Sequence, residues 1–153
     1  MNDNISIKQK LYAKCMEYVD EKISALTYAI EEARESAIQE SKSSMGDKYE
    51  TGVALMHLEI EKYSTQLSES MKLKEILSGI NIKKLCALVE PGSIVYTNLG
   101  NYFIAINTGE IILENEKFLT ISLASPIGKA LYKMKAGDKC IFRDKTIEIH
   151  KIQ

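Results

Sequence analysis

The chain has 153 residues, of which 45% are hydrophobic and 27% are charged, and its net charge is −1. This composition is sufficient for one or two small domains with buried cores. No apolar run reaches the roughly 18 residues that a membrane span needs, so we expect no membrane insertion. The first residues, Met1-Asn-Asp-Asn, lack a basic segment and an apolar stretch, which predicts no secretory signal.

The cysteines and the charges indicate a cytoplasmic protein with a protein partner. Cys15, Cys86 and Cys140 are far apart and odd in number, which favours reduced thiols over a disulfide framework or a zinc cluster. Residues 1–80 contain 10 basic and 14 acidic residues (−4), and residues 81–153 contain 10 and 7 (+3). Neither half has the dense basic face that duplex DNA requires, so we expect no direct DNA binding.

Apolar residues in the first half recur every three or four positions, the pattern of helices with one buried face. Two such sets flank Lys42–Thr51: Leu11, Cys15, Val19, Ile23, Leu26, Ile30, Ala33 and Ala37, then Val53, Met56, Ile60, Tyr63, Leu67 and Met71. Several pairs have residue numbers that sum to 90: Ala37 with Val53, Ile30 with Ile60, Ile23 with Leu67, and Val19 with Met71. We therefore predict an antiparallel coiled-coil hairpin, with helices at about 5–43 and 48–78 and a turn at Ser43–Gly46.

From Asn81 onward, short β-branched and aromatic runs alternate with turns rich in Gly and Asn. The predicted strands are Ser93–Thr97, Tyr102–Ile106, Glu110–Leu113, Phe118–Leu123, Lys139–Arg143 and Thr146–Lys151. Ser125 as N-cap and Pro126 at the first helical position predict a short helix that runs through Leu131. The predicted fold class is α+β: a helical hairpin domain (1–80), then a small antiparallel β-sheet domain with one short helix (81–153).

Two stretches resemble the GreA/GreB family of transcript-cleavage factors. Ile121–Ile141 contains Ser125-Pro126, a short helix ending in Ala-Leu, and Gly137-Asp138, and it is similar to the family's C-terminal signature. At the predicted tip, residues 43–52, Gly46-Asp47-x-x-Glu50 resembles the family's acidic motif. The order of elements also matches, because the family has a helical hairpin followed by an FKBP-like sheet domain.

The resemblance implies a cytoplasmic transcription elongation factor that binds RNA polymerase. The sheet domain would attach near the secondary channel, and the tip would enter the channel and come near the transcript 3′ end. There Asp47 and Glu50 would stabilise Mg²⁺ at the polymerase active centre and promote cleavage of backtracked transcripts. The protein would have no cofactor of its own and would stimulate the polymerase's nuclease rather than act as an enzyme. Polymerase contacts are expected at Tyr49, Ser125, Pro126 and Lys129.

Departures from the family leave alternatives open. Tyr49 and Thr51 stand where the family has Ser and Asn, and Asp47 with Glu50 also fits a capping box at a helix start. Tyr49 either contacts the partner or packs over the turn. One alternative function is a non-cleaving Gre-like regulator that occupies or blocks the channel. A remote one is an FKBP-type peptidyl-prolyl isomerase, whose aromatic pocket would draw on Tyr96, Tyr102, Phe103, Phe118, Tyr132 and Phe142.

Overall fold

A computed structural model describes residues 2–42 and 47–153, with side chains at 7–39, 42 and 51–153. The elements are α1 (Asn2–Ser41), α2 (Asp47–Ser78), β1 (Ile94–Thr97), β2 (Gly100–Ile104), β3 (Gly109–Leu113), β4 (Glu116–Ile121), α3 (Pro126–Leu131), β5 (Lys139–Phe142) and β6 (Lys145–Ile152). The predicted α+β class is confirmed. The predicted turn at Ser43–Gly46 lies outside the described residues. In the part of the chain that the structure describes, no helix has the length and apolar character to cross a membrane.

The chain divides into two compact units. The sheet unit consists of Met1–Tyr18 and Glu75–Gln153, and the helical unit is Val19–Lys74. The helix α1 therefore contributes residues to both units, and so does α2. The expected domain boundary between residues 80 and 81 is a different division and stays a prediction.

In the helical unit, α1 and α2 bury apolar side chains at helical spacing. Val19, Leu26, Ile30 and Ala33 of α1 are buried, and a matching set on α2 is half-buried: Val53, Met56, Ile60, Tyr63 and Leu67. Asp20 near one end pairs with Lys74 at 2.7 Å. Residues 28–36 and 56–63 line one shared depression. Early positions of α1 thus face late positions of α2, as an antiparallel pair requires.

The prediction that Met71 faces Val19 is wrong. Met71 is 54% exposed, whereas Ser70 is 1% exposed and Val19 is fully buried. Buried and half-buried positions of α2 recur at intervals of seven, at Met56, Tyr63, Ser70 and Leu77. A seven-residue repeat keeps the same face toward the partner helix, so the next position along is turned toward solvent. The sequence prediction placed Met71 on the buried face because its side chain is apolar.

The six strands form one sheet in the order β3-β4-β2-β1-β6-β5. Neighbouring strands are antiparallel except β2 and β4, which are parallel, with Phe103 opposite Thr120. The sequence predicted only antiparallel pairing. The hairpin of β3 and β4 joins the sheet through β4, which buries Phe118, Thr120 and Ile121, while β3 has no buried residue. The more buried strand takes the inner position, and this strand order places β4 parallel to β2.

Each face of the sheet contains buried residues. One core comprises Val89, Val95, Tyr102, Ile104, Ile121, Leu131, Ile147 and Ile149. Residues that alternate with these along the strands, such as Ile94, Phe103 and Phe118, are buried as well. Leu11 and Cys15 of α1 are fully buried, and Lys10 of α1 pairs with Glu114 at 2.9 Å. The first turns of α1 therefore belong to the sheet unit.

Truncation of one buried position in the helical unit tests its packing. Ile30→Ala removes a side chain that is 6% exposed, and we expect a loss of about 2–5 kcal/mol of unfolding free energy, measured by urea denaturation followed by circular dichroism. Ile38 is the matched control on the same helix, because it is 55% exposed. Ile38→Ala should cost less than about 1 kcal/mol. Equal losses for the two variants would contradict the buried face described above.

Candidate functional site

The expected tip residues occupy the beginning of α2. The helix starts at Asp47, so Asp47 and Glu50 lie three positions apart in its first turn. Positions three apart are neighbours on a helical surface. Carboxylate oxygens are the ligands that Mg²⁺ prefers, and one or two of them commonly suffice when other ligands complete the coordination. Two carboxylates at this spacing are therefore the type of donor that a shared magnesium ion would need. The side chains of residues 47–50 lie outside the described part of the chain, so the roles of Asp47, Tyr49 and Glu50 stay predictions.

Ser125 forms the predicted cap of α3. Its backbone is extended (φ −70°, ψ 155°), its Oγ accepts a hydrogen bond from the Gly128 N–H at 3.1 Å, and its hydroxyl donates to the Ser122 carbonyl at 2.6 Å. The resemblance implied a partner contact for Ser125, and that role stays a prediction; within the protein its hydroxyl bonds to Ser122 and Gly128 and helps to hold this turn. Pro126 and Lys129 are exposed, so they present the surface of α3 that a partner can reach.

Gly128 is required where α3 meets the strand end before it. A Cβ at this position would lie 2.1 Å from the Ser122 carbonyl oxygen and 2.9 Å from the Leu123 Cα. Real Cβ atoms do not approach backbone so closely, so only glycine allows α3 to pack here. The Ser-Pro-x-Gly stretch is therefore explained by local packing.

Ile127 lines an open depression of about 340 Å³, which we call the sheet depression. Its other lining residues are Leu99, Tyr102, Phe142, Arg143, Lys145 and Ile147. A second open depression of about 310 Å³ shares Leu99 and Tyr102 and extends to Leu119. Leu99 and Leu119 are 46% and 41% exposed. The two depressions thus share Leu99 and Tyr102, and the second is also lined by Glu110 and Lys117.

Two cations stand at the rim of the sheet depression. Arg143 and Lys145 are exposed, and the Arg143 guanidinium lies 5.1 Å from the centroid of the Phe142 ring. Arg143 and Asp144 both have positive φ, which fits the two-residue turn between β5 and β6. Burial raises the pKa of Tyr102 above the ordinary tyrosine value. An apolar floor with a basic rim suits a partner segment that combines acidic and apolar side chains.

Sequence reasoning missed Leu99, Arg143 and Lys145. The available signal was the pair Arg143-Asp144 between two alternating runs, which marks a hairpin turn. The alternation does not say which face of the sheet is covered, and so it could not place these side chains beside Ile127. Of the six aromatic residues considered for an isomerase pocket, Tyr102 and Phe142 line the sheet depression.

A buried lysine forms a second polar cluster in the sheet unit. Lys8 is 1% exposed, and its Nζ donates to the Lys84 carbonyl at 2.7 Å and to the Cys86 Sγ at 3.6 Å. Lys84 pairs through its own Nζ with Glu90 at 2.9 Å, and this pairing lowers the pKa of Glu90. Burial is the main cause that raises the pKa of Cys86, so its nucleophilic thiolate form is disfavoured. The cluster therefore ties α1 to the segment after α2 and offers no activated nucleophile.

No protein-family model matches this chain, and a search of curated proteins also finds no match.

Substitution of Gly128 tests the close contact behind α3. Gly128→Ala should lower the unfolding free energy by about 1–3 kcal/mol, because the added methyl must displace the Ser122 backbone. Urea unfolding measures this loss. Gly79→Ala is the matched control, since its Cβ would meet the Ile76 carbonyl at an ordinary 3.6 Å. The control should change stability by less than about 1 kcal/mol. A Gly128 variant as stable as the control would refute the packing argument.

Proposed function

We propose that the chain is a Gre-like transcription elongation factor of the cytoplasm. In this proposal it binds RNA polymerase, inserts the start of α2 into the secondary channel and promotes cleavage of backtracked transcripts. The observation that carries the proposal is the series β4, Ser125 cap, α3, Gly137 turn and β5, which has the order expected from the resemblance. The long helices before the sheet support it further.

The sheet depression is the attachment surface in this proposal. Its floor offers Leu99, Tyr102 and Ile127, and its rim offers Arg143 and Lys145. Leu99 is 46% exposed and Ile127 is half-buried, whereas Tyr102 is only 8% exposed. Accessible apolar side chains beside cations favour association with a protein surface of opposite charge. Pro126 at the start of α3 and Lys129 in its last turn are exposed and would extend this contact surface.

The first turn of α2 would carry the chemistry. Asp47 and Glu50 would hold Mg²⁺ jointly with the polymerase, and the ion would activate water and offset charge on the transcript phosphate. The 32 residues of α2 span about 48 Å at 1.5 Å per residue. A helix of this length, packed against a second one, is stiff enough to position two carboxylates at a remote site.

The non-cleaving regulator is the second candidate, and Tyr49 is the feature that favours it. A bulky aromatic residue stands beside Glu50 where the family has a serine. The remote isomerase alternative has weaker support, because Tyr102 and Phe142 alone of the six aromatic candidates line the sheet depression. Fold likeness by itself does not carry activity.

Removal of each tip carboxylate tests the cleavage role. Asp47→Asn and Glu50→Gln keep side-chain size but weaken Mg²⁺ binding, so stimulated cleavage of a backtracked complex should fall to the level of polymerase alone. Polymerase affinity should be unchanged. Asn caps helices about as well as Asp, so Asp47→Asn should change stability by less than about 0.5 kcal/mol.

The outcomes of this experiment separate the two candidates. Normal cleavage with both variants would exclude a metal role for Asp47 and Glu50. If the unmodified protein binds polymerase yet fails to stimulate cleavage, the non-cleaving regulator replaces the proposal. Tyr49→Ser then shows whether the tip aromatic prevents cleavage.

Neutralising the rim of the sheet depression tests attachment. Arg143→Gln with Lys145→Gln should weaken the affinity of the full chain for RNA polymerase by about threefold to tenfold at low salt. Fluorescence anisotropy of the labelled protein measures this change, which should shrink at high salt. Lys135→Gln with Lys139→Gln is the matched control, because it removes two exposed cations outside the depression. Equal weakening by both pairs would argue against this attachment surface.

A further inference from the structure

The helical unit has an open depression of about 310 Å³ between α1 and α2, which we call the helix-pair notch. It is lined by Tyr28, Ala29, Glu32, Ala33, Ser36, Met56, Glu59 and Tyr63. α1 contributes its small residues here, since Ala29, Ala33 and Ser36 have short side chains. Both helices contribute a tyrosine and a glutamate. The small residues create the hollow, and the larger ones border it.

The two tyrosines give the notch aromatic faces. Tyr28 is 67% exposed, so most of its ring is accessible to a ligand. Tyr63 is half-buried, as is Met56. Covering an exposed aromatic ring with a ligand is favourable, because it removes apolar surface from water. The packing of α1 against α2 leaves the Tyr28 ring in water. The ring face also attracts cations.

The two carboxylates give the notch a negative charge. Glu32 and Glu59 are exposed, and neither forms an ion pair with any side chain among residues 7–39, 42 and 51–153. Asp20, in the same unit, already pairs with Lys74. Residues 19–74 contain 11 acidic and 7 basic residues, a net charge of −4. The field around the notch therefore favours a positively charged ligand.

We propose that the helix-pair notch binds an arginine or lysine side chain presented by a basic partner protein segment. The cation would lie against Tyr28 and Tyr63 and pair with Glu32 and Glu59. Arginine suits the notch better than lysine, because its planar guanidinium stacks on aromatic rings and forms paired hydrogen bonds with carboxylates. An acidic or purely apolar segment would desolvate two carboxylates without compensation. The proposal does not depend on the transcription role.

A peptide titration of the full ¹⁵N-labelled chain tests the proposal. The probe is a short synthetic peptide with one arginine among alanines and leucines, and the matched peptide has citrulline in its place. Citrulline keeps the shape of arginine and removes its charge. Amide shifts should concentrate at Tyr28, Glu32, Met56, Glu59 and Tyr63. The arginine peptide should bind about tenfold more tightly than the citrulline peptide, since both the ring and the carboxylate contacts require the charge.

Variants of the chain locate the binding energy. Glu32→Gln with Glu59→Gln should reduce the affinity for the arginine peptide by about threefold to tenfold. Glu31→Gln with Glu61→Gln removes the same charge from exposed positions outside the notch and should have a smaller effect. Tyr28→Phe should preserve binding because the ring remains, whereas Tyr28→Ala should weaken it. All these positions are exposed, so circular dichroism should show unchanged helix content.

Three results would overturn the proposal. Equal weakening by the two glutamate pairs would mean that only the overall acidic charge attracts the peptide. Equal affinity for the arginine and citrulline peptides would remove the cation from the recognition. Amide shifts in the notch that follow protein concentration without peptide, together with a dimer in sedimentation, would identify a second copy of the chain as the occupant.

Discussion

One apolar stripe along α1 is buried in both compact units. Leu11 and Cys15 are fully buried in the sheet unit, and Val19, Leu26 and Ile30 are buried in the helical unit. These positions all belong to α1, so one helix supplies apolar side chains to both cores. A helix of 40 residues depends on such burial, since local propensity alone stabilises long helices only marginally in water.

The two candidate binding surfaces differ in charge, but each combines apolar or aromatic side chains with two charged residues. The sheet depression has an apolar floor with Arg143 and Lys145 at its rim, and the helix-pair notch has tyrosines with Glu32 and Glu59. In both proposals, apolar area would supply affinity while the charges would select the partner. The opposite net charges of residues 1–80 and 81–153 agree with the opposite charges beside the two depressions.

Ser125 and Lys8 differ in their sequence context, but the hydrogen bonds of both side chains have a structural role in the sheet unit. Ser125 lies in the stretch that resembles the Gre signature, yet its hydroxyl is bonded to Ser122 and to the Gly128 N–H. Lys8 has no motif around it, yet it is buried and holds the Lys84 carbonyl and the Cys86 thiol. In both cases the hydrogen bonds stabilise the sheet unit, because they satisfy polar atoms that burial would otherwise leave unpaired.

The sequence by itself determined the elements whose signals are local. Helical periodicity located α1 and α2, alternation and turn residues located the six strands, and Ser125-Pro126 located α3 to the residue. Other features depend on contacts between segments that are distant in the sequence, so only the tertiary structure could decide them. Such contacts made β4 the inner strand beside β2, turned Met71 to solvent in favour of Ser70, and buried Lys8 against Lys84. They also assembled the sheet depression and the helix-pair notch, because each is lined by residues far apart in the chain, which no local pattern can bring together.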